Sequence, residues 1–301
     1  MTDATGHTLY MLGRPTLKDF VRFVESEAAH VPDRATLASR WHAAAEAARS
    51  MEQSEPGAAD NPTITKLGPE YEPLLIEFLK DPLVRNGFNT VPSQVALVEL
   101  EKLVVYQRHI DLSFVAQLER KLGALAGHEK IFRTCLPFDH PQPPARWSRI
   151  ERDKFVFVSP SNDLRFLEAI SLNPEQLKDD HGGNLLGIVG LAVGFGSNFL
   201  NAVYAENRLI LNNGSHRAYA LHKLGYTHAP CIVQHVSSRH ELELVASSQV
   251  RRDPDAYLKS PRPPMLRDYF NPGLHTVLPV RRSIRQVTVR FEIEETFVPA
   301  L

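Results

Sequence analysis

Apolar residues recur at helical spacing through most of the first 130 residues. Thr16 is a suitable N-terminal cap for a helix over Leu17–Glu27, in which Phe20 and Val24 share one face. The same spacing predicts helices over residues 35–51, 71–79, 94–105 and 111–125. In the last of these, the predicted buried face consists of Phe114, Leu118, Leu122 and Leu125. Residues 1–136 are therefore expected to form a mainly helical lobe.

A proline-rich stretch interrupts this pattern. Residues 137–144 contain four prolines, which exclude a helix and a central strand alike. Just before the stretch, residues 130–136 have the composition of a strand. We therefore place a connection at residues 137–153, between the helical lobe and the part that follows.

Beyond the connection, short strands alternate with helices. Strands are predicted over residues 154–158, 199–204, 208–211 and 229–236, and helices over residues 161–170, 215–224 and 238–250. Gly225 is placed to end the second of these helices. Residues 185–196 are apolar and punctuated by glycine, which fits either a helix or a buried loop. Residues 154–250 are thus predicted to form one α/β module.

The remaining residues, 251–301, combine a loop and a strand. The loop is rich in proline, and the strand is predicted over residues 286–293 because apolar and polar side chains alternate there. We expect this strand to pack on the module. The chain as a whole is accordingly predicted to be an α/β (α+β) protein.

The composition indicates a globular protein with almost balanced charge. Of 301 residues, 43% are hydrophobic, and 34 basic and 35 acidic residues give a formal net charge of −1. Proteins that bind nucleic acid usually carry an excess of basic residues to neutralise phosphates, so a nucleic-acid partner is not expected. The sequence has neither a membrane-length apolar run nor a secretory signal pattern, and we expect a cytoplasmic protein without a membrane partner. Cys135 and Cys231 are expected to be buried free thiols.

The segment with the most chemical content is Asn213-Gly214-Ser215-His216-Arg217. It follows a predicted strand and opens a predicted helix, whose first N–H groups and positive dipole end favour an anion. Gly214 allows a ligand to approach the backbone, and Ser215 can both cap the helix and donate a hydrogen bond. Arg217 offers a forked donor for phosphate or carboxylate, while His216 can transfer a proton near neutral pH. The spacing therefore predicts an anion site at this turn.

This segment resembles the ParB/sulfiredoxin-like superfamily, whose members carry a Gly-x-His-Arg or Gly-x-Arg-Arg box at a strand-to-helix turn. The resemblance covers about residues 155–236, including a short strand upstream and a Leu-Gly turn with a closing strand downstream. It implies a pocket for the phosphates of a nucleotide or for another anion. Asn213 stands where the family often has an acid, and position 215 is serine, whereas sulfiredoxins use a cysteine near the box.

We therefore expect an enzyme that acts on a small anionic molecule. One reaction class is phosphoryl transfer or hydrolysis that depends on a nucleotide with Mg²⁺, and the other is acid/base lyase or hydrolase chemistry without a cofactor. Self-association to a homo-oligomer is compatible with both. The alternative is a DNA-associated nuclease or partition-type adaptor with a basic face of Arg281, Arg282 and Arg285. No metal ligand is expected, because metal-binding spacings of His and Cys are not found in the sequence.

Further candidates for the site lie outside the turn. Asp139 and His140 are candidates for acid/base catalysis beside His216, and Tyr219 and Arg262 for binding the anion. His109 and Asp111 are candidates to approach the turn from the helical lobe. The glycines within residues 180–183 are typical of a hinged lid.

Overall fold

The computed structural model describes residues 5–123, 125–140, 142–161, 163–173 and 186–297. The chain divides into two units, each made of two sequence segments. The large unit comprises Met1–His140 and Asn198–Arg281, and the small unit comprises Pro141–Ser197 and Arg282–Leu301. Helices and several sheets are both present, so the predicted mixed α/β class is confirmed. No helix in the described part of the chain is long and apolar enough to cross a bilayer.

The large unit contains two sheets among its described residues. The strands of the first sheet are β2 (Ile64–Lys66), β3 (Ser93–Glu99), β9 (Asn201–Ala205), β10 (Arg208–Asn213) and β11 (His228–His235), in the order β10-β9-β11-β3-β2. Strands β9 and β11 run parallel, and the other neighbours run antiparallel. The second sheet has β1 (Thr5–Met11) between β4 (His109–Asp111) and β12 (His275–Arg281).

Helices surround these sheets. They are α1 (Leu17–Glu27), α2 (Arg34–Ser54), α3 (Glu72–Phe78), α4 (Pro82–Gly87), α5 (Leu112–Leu122), α6 (His128–Cys135), α7 (Ser215–Lys223), α8 (Arg239–Val245), α9 (Ser248–Arg252) and α10 (Asp255–Leu258). Two 3-10 turns cover Pro69–Tyr71 and Leu266–Phe270. Helix α1 has the predicted bounds and cap, because the Thr16 side chain accepts a hydrogen bond from the Asp19 N–H at 3.1 Å.

The main core of the large unit joins the five-stranded sheet to α5, α6 and α7. Aromatic rings occupy its centre: the Phe78 ring meets Phe199 edge-on at 5.2 Å between centroids and Phe132 at 5.9 Å. Cys135 and Cys231 lie in this core as buried free thiols, which confirms the prediction for both. Helices α1 and α2 form a separate apolar cluster with Tyr10 of β1 and Leu278 of β12, which are buried against the helices.

The small unit is built from strands. A three-stranded sheet has the order β13-β6-β5, formed by β5 (Arg146–Glu151), β6 (Lys154–Ser159) and β13 (Arg285–Arg290). Strands β7 (Arg165–Leu172) and β8 (Ile188–Gly194) form a two-stranded antiparallel ribbon. Among the described residues of this unit, the buried hydrophobic side chains are only Val156 and Leu164. The unit therefore has very little core of its own.

Several predicted elements have the wrong type. Residues 94–105 were predicted helical but contain β3, which is hydrogen-bonded to strands on both sides. Residues 130–136 were predicted as a strand but belong to α6, where Ile131, Phe132 and Cys135 are buried at helical spacing. Residues 161–170 were predicted helical but enter β7, and residues 185–196 contain β8 rather than a helix or a buried loop. In each case, strand pairing or packing with residues distant in sequence outweighed the element type that the local pattern of apolar residues predicts.

Two larger predictions also need correction. On α5 the buried residues are Val115 and Leu122, whereas Phe114 and Leu125 are exposed. The predicted module of residues 154–250 is divided, because residues 154–197 belong to the small unit and residues 198–250 to the large one. The terminal strand, β13, accordingly pairs with β6 in the small unit. Residues 1–136 are less helical than predicted, since they also contain β1 to β4.

The aromatic cluster gives a test of this core. Phe132 is fully buried, so we expect Phe132→Ala to lower the free energy of unfolding by about 3–5 kcal/mol, through lost contacts and the cavity that remains. Phe114→Ala makes the same chemical change at an exposed position and is expected to cost less than about 1 kcal/mol. Urea denaturation of both variants measures this difference, and equal losses would contradict the packing described.

Candidate functional site

The turn between β10 and α7 depends on a left-handed glycine. Gly214 has φ +97° and stands immediately before the first residue of α7. A Cβ atom on Gly214 would lie 2.5 Å from Leu200 Cδ1 and 3.2 Å from Leu200 Cα. Both the backbone conformation and the close approach of Leu200 therefore require glycine at this position.

The first turn of α7 has unpartnered N–H groups. No side chain caps the helix at Gly214, and the N–H groups of Ser215, His216 and Arg217 have no hydrogen-bond acceptor among the described residues. The Ser215 hydroxyl likewise has no partner within the described ranges. A left-handed residue followed by right-handed ones directs successive N–H groups toward one point, and the helix dipole adds partial positive charge there. The geometry suits an anion.

His216 is held as a neutral hydrogen-bond acceptor. Its Nε2 accepts from the backbone N–H of Asp111 at 3.0 Å, so the proton of the neutral ring lies on Nδ1. The ring also packs edge-on against Phe114 at 5.5 Å. Burial lowers the pKa of His216 to about 4, and nearby His109 adds to the effect while Asp111 opposes it. At neutral pH His216 is therefore uncharged, and it can donate a hydrogen bond through Nδ1.

Arg217 points into the protein. Its Nη1 donates to the backbone carbonyls of Asn198 at 2.6 Å and Cys135 at 3.0 Å, and its Nη2 donates to Asn198 Oδ1 at 2.9 Å. Desolvation lowers the pKa of this guanidinium to about 10, which leaves it charged at neutral pH. Cys135 ends α6, so the cation lies at the negative end of that helix dipole. These contacts commit the Arg217 guanidinium to positioning the turn, whereas the sequence predicted it as a forked donor for the anion.

The second sheet brings Asp111 to the turn. Asp111 begins α5 and caps it, with Oδ1 accepting from the N–H groups of Ser113 and Phe114. Arg108, just before β4, forms an ion pair with Asp19 at 3.0 Å. Of the two residues predicted to approach from the N-terminal lobe, Asp111 reaches the turn through its backbone, while the His109 ring stacks on Phe23.

The other predicted catalytic residues lie elsewhere. Asp139 is exposed, and His140 pairs through Nε2 with Asp81 Oδ2 at 2.6 Å rather than with its neighbour. The His140 ring contacts Phe199 edge-on, and its backbone has φ +40°. Within the described residues, neither Asp139 nor His140 shares a hydrogen bond or ring contact with Gly214–Arg217. Asp81 was not a candidate from the sequence, although Asp immediately before Pro82 is a typical cap signal.

The predicted anion-binding side chains beyond the turn are committed to packing and ion pairs. Tyr219 is buried and stacks on Phe270 at 4.5 Å. Arg262 is fully buried, with Nη2 2.6 Å from Asp268 Oδ1, a second contact to the same carboxylate, and Nε 3.2 Å from Glu55. Arg262 is thus already neutralised by two carboxylates. The predicted lid, residues 180–183, lies outside the described residues.

The three arginines of the basic cluster near the end of β12 are exposed. Arg281 donates to the carbonyl of Ser26 at 2.5 Å, and Arg285 donates to the carbonyl of Leu164 at 2.7 Å. Arg281 belongs to the large unit, and the other two arginines to the small unit. No contact of these arginines favours a DNA-binding face.

Comparison with known proteins yields no relative: no family model, no curated protein and no solved structure matches this chain. The resemblance to the ParB/sulfiredoxin-like superfamily therefore stays a prediction. The candidate site is defined by its geometry alone.

The low pKa of His216 predicts a pH-dependent stability. The folded pKa is about 4 and the ordinary value 6.5, so the unfolded chain binds more protons between these values. The contribution of the neutral ring to stability is present above pH 6.5 and is lost as the pH falls toward 4. We expect His216→Gln, which keeps an acceptor for the Asp111 N–H, to reduce this loss. Urea denaturation across that pH range measures it, and parallel curves for the two proteins would contradict the assignment.

The Arg262 ion pairs predict a large loss of stability on truncation. Arg262→Ala leaves the buried Asp268 carboxylate without its partner, and we expect the free energy of unfolding to fall by about 3–5 kcal/mol. Arg34→Ala removes an exposed pair with Glu25 and is expected to cost less than about 1 kcal/mol. Chemical denaturation compares the two. A small loss of stability for Arg262→Ala would show that the buried ion pairs with Asp268 and Glu55 do not stabilise the fold.

Proposed function

We propose that this protein binds a small anion at the turn between β10 and α7 and acts on it as an enzyme. The observation that carries the proposal is the set of unpartnered N–H groups of Ser215, His216 and Arg217, which follow the left-handed Gly214. Buried or half-buried backbone donors normally have an acceptor, and a bound anion would supply one. The half-buried Ser215 hydroxyl adds a donor to the same place.

The charges around the turn favour a single carboxylate over a polyphosphate. Arg217 is bonded to carbonyls, so its guanidinium is not free to neutralise a second charge. Asp111, whose backbone N–H donates to His216, also carries a carboxylate. The helix dipole supplies only about half a positive charge. Nucleotide chemistry needs cations for several phosphate charges, so these contacts support the cofactor-free lyase or hydrolase alternative.

His216 then acts as a neutral hydrogen-bond donor. Its Nε2 is occupied by the Asp111 N–H, and its low pKa keeps the ring uncharged at neutral pH. A neutral imidazole with a fixed Nδ1–H can polarise a carbonyl or stabilise a developing oxyanion without transferring its own proton at the start. This role differs from the general acid/base role expected from the sequence.

A ligand panel separates the two reaction classes. We expect benzoate or a comparable carboxylate to raise the melting temperature, and CTP or ATP with Mg²⁺ to leave it unchanged, because the guanidinium of Arg217 is already bonded to Asn198 and Cys135. Inorganic phosphate is the control that presents one phosphate group without the nucleotide. Stabilisation by the nucleotides alone would favour phosphoryl transfer, and no response to any anion would remove the proposed site.

A substitution at Ser215 tests the site without removing the fold. In Ser215→Asp the new carboxylate occupies the N-terminus of α7, where it should stabilise the helix by about 0.3–1 kcal/mol while it excludes an external anion. We expect the anion response to disappear although the melting temperature does not fall.

The matched control is Ser215→Ala. It removes the hydroxyl and keeps all backbone N–H groups, so anion affinity should fall by no more than about tenfold. If Ser215→Asp binds the anion as well as the unmodified protein does, the anion lies elsewhere.

A further inference from the structure

A groove runs between α1 and α2 on the surface of the large unit. Its volume is about 530 Å³, which lies within the range of roughly 300–1,000 Å³ that small-molecule sites occupy. Leu17 and Val21 of α1 and Ala38 of α2 form the apolar part of its lining, and all three side chains are half-buried. Leu17 and Val21 are four residues apart, so they lie next to each other on one face of α1. We call this feature the α1–α2 groove.

The rest of the lining is charged and mostly positive. Lys18, Arg22 and Arg34 supply three cations, and Glu25 supplies the one carboxylate. Glu25 is already paired with Arg34 at 2.9 Å, so it does not neutralise the other two. Lys18 forms no ion pair with any described residue, and the ion pair of Arg22 in the same ranges is a distant contact of 4.0 Å with Asp19. Two cations next to an apolar surface therefore lack a close counter-ion.

The surroundings of the groove increase this positive excess. Asp19 is paired with Arg108 at 3.0 Å, so its charge is not available to Arg22 alone. Near the end of α1, the exposed Arg281 donates to the carbonyl of Ser26 at 2.5 Å, which adds a cation at that end of the helix. The chain as a whole has a formal net charge of −1, so this concentration of cations is a local feature. A cleft lined by charge of one sign raises the local concentration of ligands of the opposite sign.

We propose that the α1–α2 groove binds a free medium-chain fatty carboxylate. Lys18 and Arg22 are four residues apart on α1, so one carboxylate can pair with both. The acyl chain then covers Leu17, Val21 and Ala38. Such a ligand matches both parts of the lining. A bare phosphate would leave the apolar side chains in water, and a neutral alkyl chain would leave the cations without a partner.

Size favours a small ligand over a protein partner. Seven residues line the groove, whereas a stable protein interface takes about 800 Å² and roughly 20–30 residues from each partner. No hydrogen bond, ion pair or ring contact of the described residues joins this lining to Gly214–Arg217. The fatty carboxylate therefore occupies a second site, and its binding does not depend on an anion at the turn before α7.

Titration calorimetry with octanoate and decanoate, both below their micelle concentrations, tests the groove. We expect one site per chain and an affinity that rises about fourfold for each added methylene group that the groove covers. Octanol has the chain length of octanoate without the charge, and it should bind at least about tenfold more weakly, because it cannot form ion pairs with Lys18 and Arg22. An affinity that does not change with chain length, or no binding at all, would overturn the proposal.

Matched substitutions locate the ligand. Ala38→Glu places a carboxylate in the apolar lining and should abolish decanoate binding, whereas Ala43→Glu, the same change at an exposed position of α2, should leave it unchanged. Lys18→Gln should weaken decanoate binding about tenfold, while octanol binding stays the same. Circular dichroism checks that each variant is folded, and the Lys18→Gln comparison decides the question if Ala38→Glu does not fold. Decanoate binding that survives both changes would place the ligand elsewhere.

Sedimentation with phosphatidylcholine–phosphatidylglycerol vesicles separates the free ligand from a membrane. We expect the protein to stay in the supernatant, because α1 buries its main apolar residues, Phe20 and Val24, within the large unit. Sedimentation that Lys18→Gln reduces, together with no response to free decanoate, would assign the groove to a lipid surface and overturn the proposal.

Discussion

The guanidinium of Arg217 holds together the parts of the large unit that form the candidate site. It starts from the first turn of α7 and donates to the carbonyls that end α6 and to both the backbone and the side chain of Asn198. Leu200, two residues after Asn198, closes directly on Gly214. The position of the turn therefore depends on a buried cation whose charge is balanced by helix and peptide dipoles, and not by a carboxylate. Removing the Arg217 guanidinium would leave the carbonyls of Cys135 and Asn198 without this donor.

This constraint also determines the chemistry that the turn can offer. With Arg217 directed inward and His216 neutral, the donors of the turn without a partner among the described residues are backbone N–H groups, a hydroxyl and an imidazole Nδ1–H. All of these are preorganised dipoles, which stabilise a developing negative charge without moving. Under the proposed function, a site of this kind would recognise one small anion by geometry. It does not attract a highly charged ligand through a strong field, in keeping with the nearly balanced charge of the chain.

The two units differ in how they are stabilised. The large unit buries aromatic and aliphatic residues on both sides of its sheets, and its Pro-rich loop is fixed by the ion pairs of Arg262. The small unit has strands but almost no buried apolar residues in its described part. Strand pairing satisfies backbone hydrogen bonds, yet it leaves apolar side chains in water unless another layer covers them.

Local signals in the sequence were enough for some elements. The Thr16 cap, the strands β9 and β10, the helix α7 and its glycine stop are all short-range features, and each forms as predicted. Tertiary structure decided the rest, because non-local partners determine whether an apolar run pairs as β3 or packs as α6. It also determined that Arg217 turns inward and that His216 accepts from Asp111, since side-chain direction depends on groups more than eighty residues away in sequence. The sequence alone thus located the turn, and only the folded chain determined which of its donors remain free for a ligand.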